Sequence, residues 1–192
     1  MNMKQLAFSL AALGLVLSGC IVTSVHPFYL EKDLVSGAPL LGHWKSPKDA
    51  GEHWIFEAGD PQGLKLTYIS GNETNLVSAH LFKLGQDTFL DLFPLKPDGP
   101  GFPPAIPSHL LLRVNQLQPS LKMAALNHDW LLKLVQQRPK TVSHLIIKGG
   151  GDKDKADNRV VLTAGTPELQ RFVRKHLKEE GAWQEADELQ RD

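Results

Sequence analysis

The amino-acid sequence predicts an α+β fold, in which a mostly antiparallel, curled sheet forms a partial barrel and two helices pack on it. Short segments of alternating apolar and polar residues fill most of the chain, and turn residues separate them. Two later segments have helical periodicity instead, one after Asn127 and one after Thr166. A hydrophobic fraction of 42% and a charged fraction of 22% are ordinary for a globular protein.

The strand prediction depends on a period of two. Leu64, Leu66 and Tyr68 alternate with polar residues, which is typical of a strand with one buried face. A short turn at 85–87 joins two such segments into a predicted hairpin, whereas residues 94–107 hold six prolines and are predicted to form a loop or a flap. The predicted strands are 41–46, 53–57, 64–68, 76–84, 88–93, 109–117, 121–126, 143–148 and 159–164.

The two helices are predicted from their ends and from their apolar stripes. Asn127 is a good N-cap for the first helix, and Pro139 stops it. The second helix starts with Thr166 as its cap and Pro167 at its first position, and Gly181 is placed to end it. The stripes, at helical spacing, are Leu131, Leu134 and Val135 in the first helix and Leu169, Phe172, Val173 and Leu177 in the second.

The first twenty residues are typical of an export signal rather than of a folded element. Lys4 is the only charge before position 31, and an apolar stretch runs over residues 6–17. As a helix this stretch would span about 18 Å, which is too short for a bilayer core of roughly 30 Å. A positive start, a short apolar run and small residues after it predict a secretory signal.

The end of this segment, Leu17-Ser18-Gly19-Cys20, resembles the lipobox of bacterial lipoproteins. The resemblance implies that signal peptidase II recognises Leu17, Ser18 and Gly19, and that Cys20 carries diacylglycerol and a further acyl chain such as palmitate. Residue 21 is Ile rather than the Asp that often retains such proteins in the inner membrane, so the outer membrane is favoured. An ordinary secretory peptide or an uncleaved anchor is the alternative.

The sequence predicts one folded domain on a lipid anchor. Lys4 leaves with the leader, so the mature chain is nearly neutral. The predicted organisation is a signal peptide at 1–19, the lipidated cysteine and a tether at 20–38, a single α+β domain at 39–182 and a frayed tail at 183–192.

Composition excludes several classes of function. A single cysteine cannot form an intramolecular disulfide or a zinc site with several cysteines. Equal numbers of basic and acidic residues, 21 of each, give no electrostatic footprint for nucleic acid. The eight histidines are scattered without the local spacing of metal ligands, so neither a metal nor another cofactor is predicted.

Two features of the folded part point to candidate site residues. His80 should lie within about one position of Asp91 across the 85–87 hairpin, either as a structural pair or as a base oriented by a carboxylate. Gly42-His43-Trp44 resembles the Gly-x-Trp motif of lipocalins, where the tryptophan closes one end of a ligand-holding barrel, although a helix near 127–138 departs from their continuous meander. The candidate ligand contacts are Trp44, Trp54, His80 and Asp91, with core packing as the simpler role of the tryptophans.

The mature part also resembles small bacterial lipoproteins without assigned activity. The resemblance covers most of the chain and implies no functional residue beyond the lipid-bearing cysteine. It rests on Trp44, the Trp54-Ile55-Phe56 strand, and the segments 79–85, 89–92 and 162–172.

These observations predict a non-enzymatic, lipid-anchored cell-envelope protein, on the outer membrane and facing the periplasm, that binds a protein partner or a small ligand. One alternative is a lipocalin-like carrier of a small apolar ligand, which requires a cavity inside the sheet. Another is a hydrolase that uses His80 and Asp91, although no Gly-x-Ser-x-Gly nucleophile motif occurs.

Overall fold

The computed structural model describes residues 21–59, 61–95, 108–148 and 158–192. The predicted leader, Leu17, Ser18, Gly19 and Cys20 lie outside the described residues, as does most of the proline-rich 94–107 segment. The strands are β1 Thr23–Ser24, β2 Gly42–Lys45, β3 Glu52–Ala58, β4 Leu64–Ser70, β5 Glu73–Leu84, β6 Asp87–Pro94, β7 His109–Gln116, β8 Ser120–Ala125, β9 His144–Ile147, β10 Arg159–Leu162 and β11 Asp187–Arg191. The helices are α1 His128–Gln137 and α2 Thr166–His176, and 3-10 turns lie at Glu31–Asp33 and Ala38–Leu40.

Eight strands form a closed antiparallel barrel. Strands β2 to β8 follow one another around the wall in chain order, and β11 completes the circle between β8 and β2. The remaining strands form a side ribbon, in which β1 pairs with β7 and β10, and β10 pairs with β9. The predicted mostly antiparallel sheet with two packed helices is therefore confirmed, but the prediction of a partial barrel is wrong because the sheet closes fully.

The barrel wall separates two apolar cores. Inward side chains such as Leu66, Leu81 and Leu90 fill the inner core. Outward side chains such as Phe82 and Phe89 form the outer core with both helices and the N-terminal segment. Consequently the four central residues of β6, Phe89 to Leu92, are buried on both sides of the wall.

The N-terminal segment belongs to the fold instead of forming the predicted tether at 20–38. Val22 and Phe28 are buried in the outer core, with exposed fractions of 3% and 0%. Backbone hydrogen bonds join Val25 to Leu162 and Val35 to Leu81. The apolar residues of this segment follow neither a helical nor a strand period, so their burial could not be predicted from hydrophobic periodicity.

The C-terminal segment is likewise part of the barrel, and the predicted frayed tail at 183–192 is wrong. Leu189 is 3% exposed and pairs with Leu121, while Gln190 pairs with Lys45. The domain therefore extends beyond the predicted limits of 39–182 at both ends.

The predicted N-cap of α1 is confirmed, whereas the N-cap of α2 lies one residue before the predicted one. The Asn127 side chain accepts hydrogen bonds from the backbone N–H groups of Asp129 and Trp130, as an N-cap does. At α2 the N-cap is Gly165, because the Thr166 hydroxyl donates instead to the Pro27 carbonyl at 2.7 Å. In the part of the chain that the structure describes, no helix is long and apolar enough to cross a membrane.

Candidate functional site: the mouth of the barrel

One end of the barrel is closed by Trp44. Its side chain is fully buried, and its indole N–H donates to the Leu40 carbonyl at 2.7 Å. The guanidinium of Arg191 lies 4.4 Å from the centre of the indole ring and donates to the carbonyls of Leu41 and Pro39. Trp44 therefore fills this closed end, with the Arg191 guanidinium stacked on its ring; the two side chains together are called the plug. Trp44 does not line the cavity at the other end.

The other end of the barrel holds a cavity of about 220 Å³, called here the mouth cavity. It exists because the inward side chains of β3, β4, β7 and β8 near this end leave the barrel axis unfilled. Its wall is mostly apolar and consists of Ile21, Trp54, Tyr68, Leu110, Leu112, Met123, Ala125 and Leu189. Of the two tryptophans singled out in the sequence, Trp54 contributes to this wall.

Two aromatic side chains of the wall are fixed by their neighbours. The Trp54 and Tyr68 rings meet edge to face, with centroids 5.2 Å apart, since β3 and β4 place these residues directly opposite each other. The Trp54 indole N–H donates to a carboxylate oxygen of Glu52 at 3.0 Å. Trp54 therefore presents its ring to the cavity and directs its polar edge toward the entrance.

Tyr68 remains an uncharged phenol at neutral pH. Burial raises its pKa above the ordinary value, a hydrogen bond with Ser70 acts in the opposite direction, and the carboxylates of Glu52, Asp49 and Glu73 raise the pKa further. Because the ionised form is disfavoured, the cavity wall carries no charge.

Polar side chains surround the entrance and are called the rim. The Lys48 ammonium lies 3.4 Å from an Asp187 carboxylate oxygen, and both side chains are exposed. With three carboxylates and one lysine, the rim is acidic. Its members are Ser46, Lys48, Asp49, Glu52, Gln184 and Asp187.

The predicted His80–Asp91 pair lies outside the barrel, away from the mouth cavity. The two residues are directly opposite in the β5–β6 ladder, as the 85–87 turn predicts. Asp91 is fully buried, and its carboxylate accepts a hydrogen bond from the Phe28 N–H at 2.9 Å and lies 2.7 Å from Nδ1 of His109. The His80 ring stacks on Tyr29 with centroids 4.7 Å apart. Asp91 thus fixes the N-terminal segment to the barrel wall and exposes no surface to a substrate.

No protein-family model, curated protein or solved structure matches this chain. Within the described ranges, no three His, Cys, Asp or Glu side chains come together as a group that could hold a metal ion. The mouth cavity is therefore the candidate site, on the strength of its shape and lining.

Sequence reasoning missed most of this site. The cavity wall draws its residues from six separate parts of the chain, and each of them taken alone has the pattern of an ordinary core residue. The sequence does contain two signals of the site. Trp54 and Tyr68 both lie on the inward face of their strands, and Lys48 and Asp49 are adjacent in the turn after β2.

Proposed function

We propose that this protein is a non-enzymatic protein of the bacterial cell envelope, anchored by lipid to the outer membrane and facing the periplasm. Its proposed role is to bind a small neutral molecule, apolar or amphipathic, in the mouth of its barrel. The mouth cavity carries the binding part of this proposal, and the lipobox at Leu17 to Cys20 carries the anchoring part. The closed barrel is also compatible with the lipocalin-like alternative.

The size of the cavity limits the ligand. A volume of about 220 Å³ corresponds to roughly seven water molecules at about 30 Å³ each. Drug-sized ligands usually occupy about 300–1,000 Å³, so the cavity suits a short apolar molecule or one acyl chain of a larger amphiphile. In the second case the head group would remain at the rim.

The charge at the rim limits the head group. Asp49, Glu52 and Asp187 outnumber Lys48, and the uncharged wall offers an anion no partner. A carboxylate head group would be repelled at the entrance, whereas a hydroxyl could donate or accept hydrogen bonds there and the ammonium group of a zwitterion could donate them.

Filling the cavity should abolish binding. Residues 21–192 contain every strand of the barrel, and this protein can be titrated with a neutral naphthylamine dye that fluoresces in apolar surroundings. Ala125→Phe places a ring in the cavity and should weaken dye binding at least about tenfold, or roughly 1.4 kcal/mol. Gln86→Phe, at an exposed turn position outside the cavity, is the control and should bind as the unchanged protein does.

Competition against the dye tests the head group. Straight-chain alcohols should displace the dye at lower concentration than carboxylates of the same length, because the acidic rim repels the carboxylate. Equal dye affinity in both variants, or tighter binding of the carboxylates, would contradict the proposed ligand class.

The anchor has its own test. Mass spectrometry of the membrane-extracted protein should find an N-terminus at Cys20 that carries diacylglycerol, and Cys20→Ala should leave the leader uncleaved. An unmodified cysteine or a cleavage at another residue would contradict the anchoring part without affecting the dye measurement.

A further inference from the structure

The described chain begins at the mouth cavity. Ile21 lines the cavity and forms a β-bridge with Asn127. Consecutive Cα atoms in a trans chain are 3.80 Å apart, so Cys20 is one peptide unit from the cavity wall. The residue proposed to carry the acyl chains is therefore bonded directly to the candidate ligand site.

The chain after Ile21 is fixed to the barrel by burial and by backbone hydrogen bonds. Val22 is buried in the outer core, Thr23 pairs with Leu110, and the Val25 N–H donates to the Leu162 carbonyl at 3.0 Å. Leu110 is itself part of the cavity wall. Acyl chains on Cys20 would consequently hold this end of the barrel at the lipid surface, where a tether of some fifteen residues would leave the orientation free.

We propose that the mouth of the barrel faces the bilayer and takes the acyl chain of a neutral or zwitterionic membrane amphiphile directly from it. This inference rests on the proposed anchor at Cys20 and on the proposed ligand site, and it adds the source of the ligand and the partner surface. The acyl chain of this amphiphile passes from the hydrocarbon layer directly to the apolar wall of the cavity, so that little of its apolar surface is exposed to water during the transfer.

The acidic rim indicates that the proposed acyl chains on Cys20, and not electrostatic attraction, hold the mouth of the barrel at the membrane. Three carboxylates against one lysine would be repelled by anionic lipid. Two or more acyl chains make anchoring stable without any basic patch. The amphiphile that enters is accordingly one whose head group carries no net negative charge.

The opposite end of the barrel then points away from the membrane. β3 and β4, with seven residues each, span roughly 20 Å at about 3.3 Å per residue. The 85–87 turn and the plug of Trp44 and Arg191 lie at that far end. A label there and a label at the rim should therefore report different distances from the lipid.

The lone cysteine makes this measurement simple. Because Cys20 is the only cysteine in the sequence and its thiol is taken by the lipid, an introduced cysteine is the single reactive thiol of the mature protein. Ala50→Cys in the turn beside the rim and Gln86→Cys at the far end are both exposed turn positions. Each lipidated variant is labelled with bimane and placed in phosphatidylcholine vesicles that carry a shallow nitroxide quencher.

We expect several-fold stronger quenching at position 50 than at position 86. Inserting twenty Gly and Ser residues between Cys20 and Ile21 gives a linker with an average span of about 25 Å, which should free the domain and remove the difference. Equal quenching at both positions in the protein without the linker, or stronger quenching at position 86, overturns the orientation.

The outcomes separate this inference from the proposal beneath it. An unlipidated Cys20 in the mass spectrum contradicts the anchor and this inference together, whereas a lipidated protein with equal quenching contradicts the orientation alone. If residues 21–192 bind the dye but the lipidated protein does not, the anchor's own acyl chain fills the cavity, and supply from the bilayer is overturned.

Discussion

A chain that ends at Ala186 should fail to form the closed barrel. Such a deletion removes β11, leaves the edges of β2 and β8 unpaired and uncovers Leu121, which is fully buried in the complete chain. The lost burial of Leu189 alone is worth about 2–5 kcal/mol, and the β11 backbone pairs with β2 and β8 are lost as well. Together these losses approach the whole stability of a typical domain, about 5–15 kcal/mol.

Thermal unfolding followed by circular dichroism measures this effect. We expect the shortened chain to lose its cooperative transition and to expose apolar surface to a fluorescent dye. The control is Asp192→Asn, which keeps the chain length and removes only an exposed ion pair with Lys45; because water and salt screen such a pair, the unfolding temperature should hardly change. A shortened chain that still unfolds cooperatively near the original temperature would show that β11 is dispensable.

Asp91→Ala should strongly destabilise the wall of the barrel. Asp91 is fully buried, and its removal leaves the Phe28 N–H and the His109 ring without their partner in an apolar environment. Each buried polar group left without its hydrogen-bond partner costs about 1–3 kcal/mol, and this variant leaves two of them. Urea unfolding should show this loss as a lower midpoint.

Asp87→Ala is the matched control for Asp91→Ala. Asp87 lies on the same strand, and its carboxylate lies 3.1 Å from the guanidinium of Arg113, but both side chains are about 30% exposed. Water replaces such a partner, so we expect a loss of at most about 1 kcal/mol. Amide exchange over 21–38 should accelerate only in Asp91→Ala, because this carboxylate holds the N-terminal segment. Equal midpoints for the two variants would contradict the assigned role.

The middle of the barrel could be predicted from the sequence because local pattern decides it. The alternation at Leu64, Leu66 and Tyr68 places these side chains inward, and the 85–87 turn sets the register that pairs His80 with Asp91. Where a short turn joins two strands, counting residues from the turn gives the pairs.

The two ends could not be predicted in the same way. β11 has one apolar residue, Leu189, among charged and polar neighbours, and its burial depends on a gap between β2 and β8 that no local pattern reports. The contact of Asp91 with His109 was missed because a long connection separates β6 from β7, so that no turn fixes their register.

The mouth cavity could not be predicted from the pattern at all. Trp54, Leu112 and Met123 come from different strands, and whether such side chains meet or leave a space depends on their shapes and on the circumference of the barrel. The contact of Trp44 with Arg191 was equally beyond the pattern, since no local signal reports that a guanidinium from β11 covers the indole ring.

The position of β11 also constrains when the protein can fold. Lys45 pairs with Gln190, which lies far later in the sequence. During synthesis from the N-terminus, β2 can therefore pair with β3 early, but its other edge has no partner until β11 has emerged. Pairings of such long sequence separation make folding slow, on a scale of about milliseconds to seconds. The barrel therefore cannot close until β11 has been synthesised.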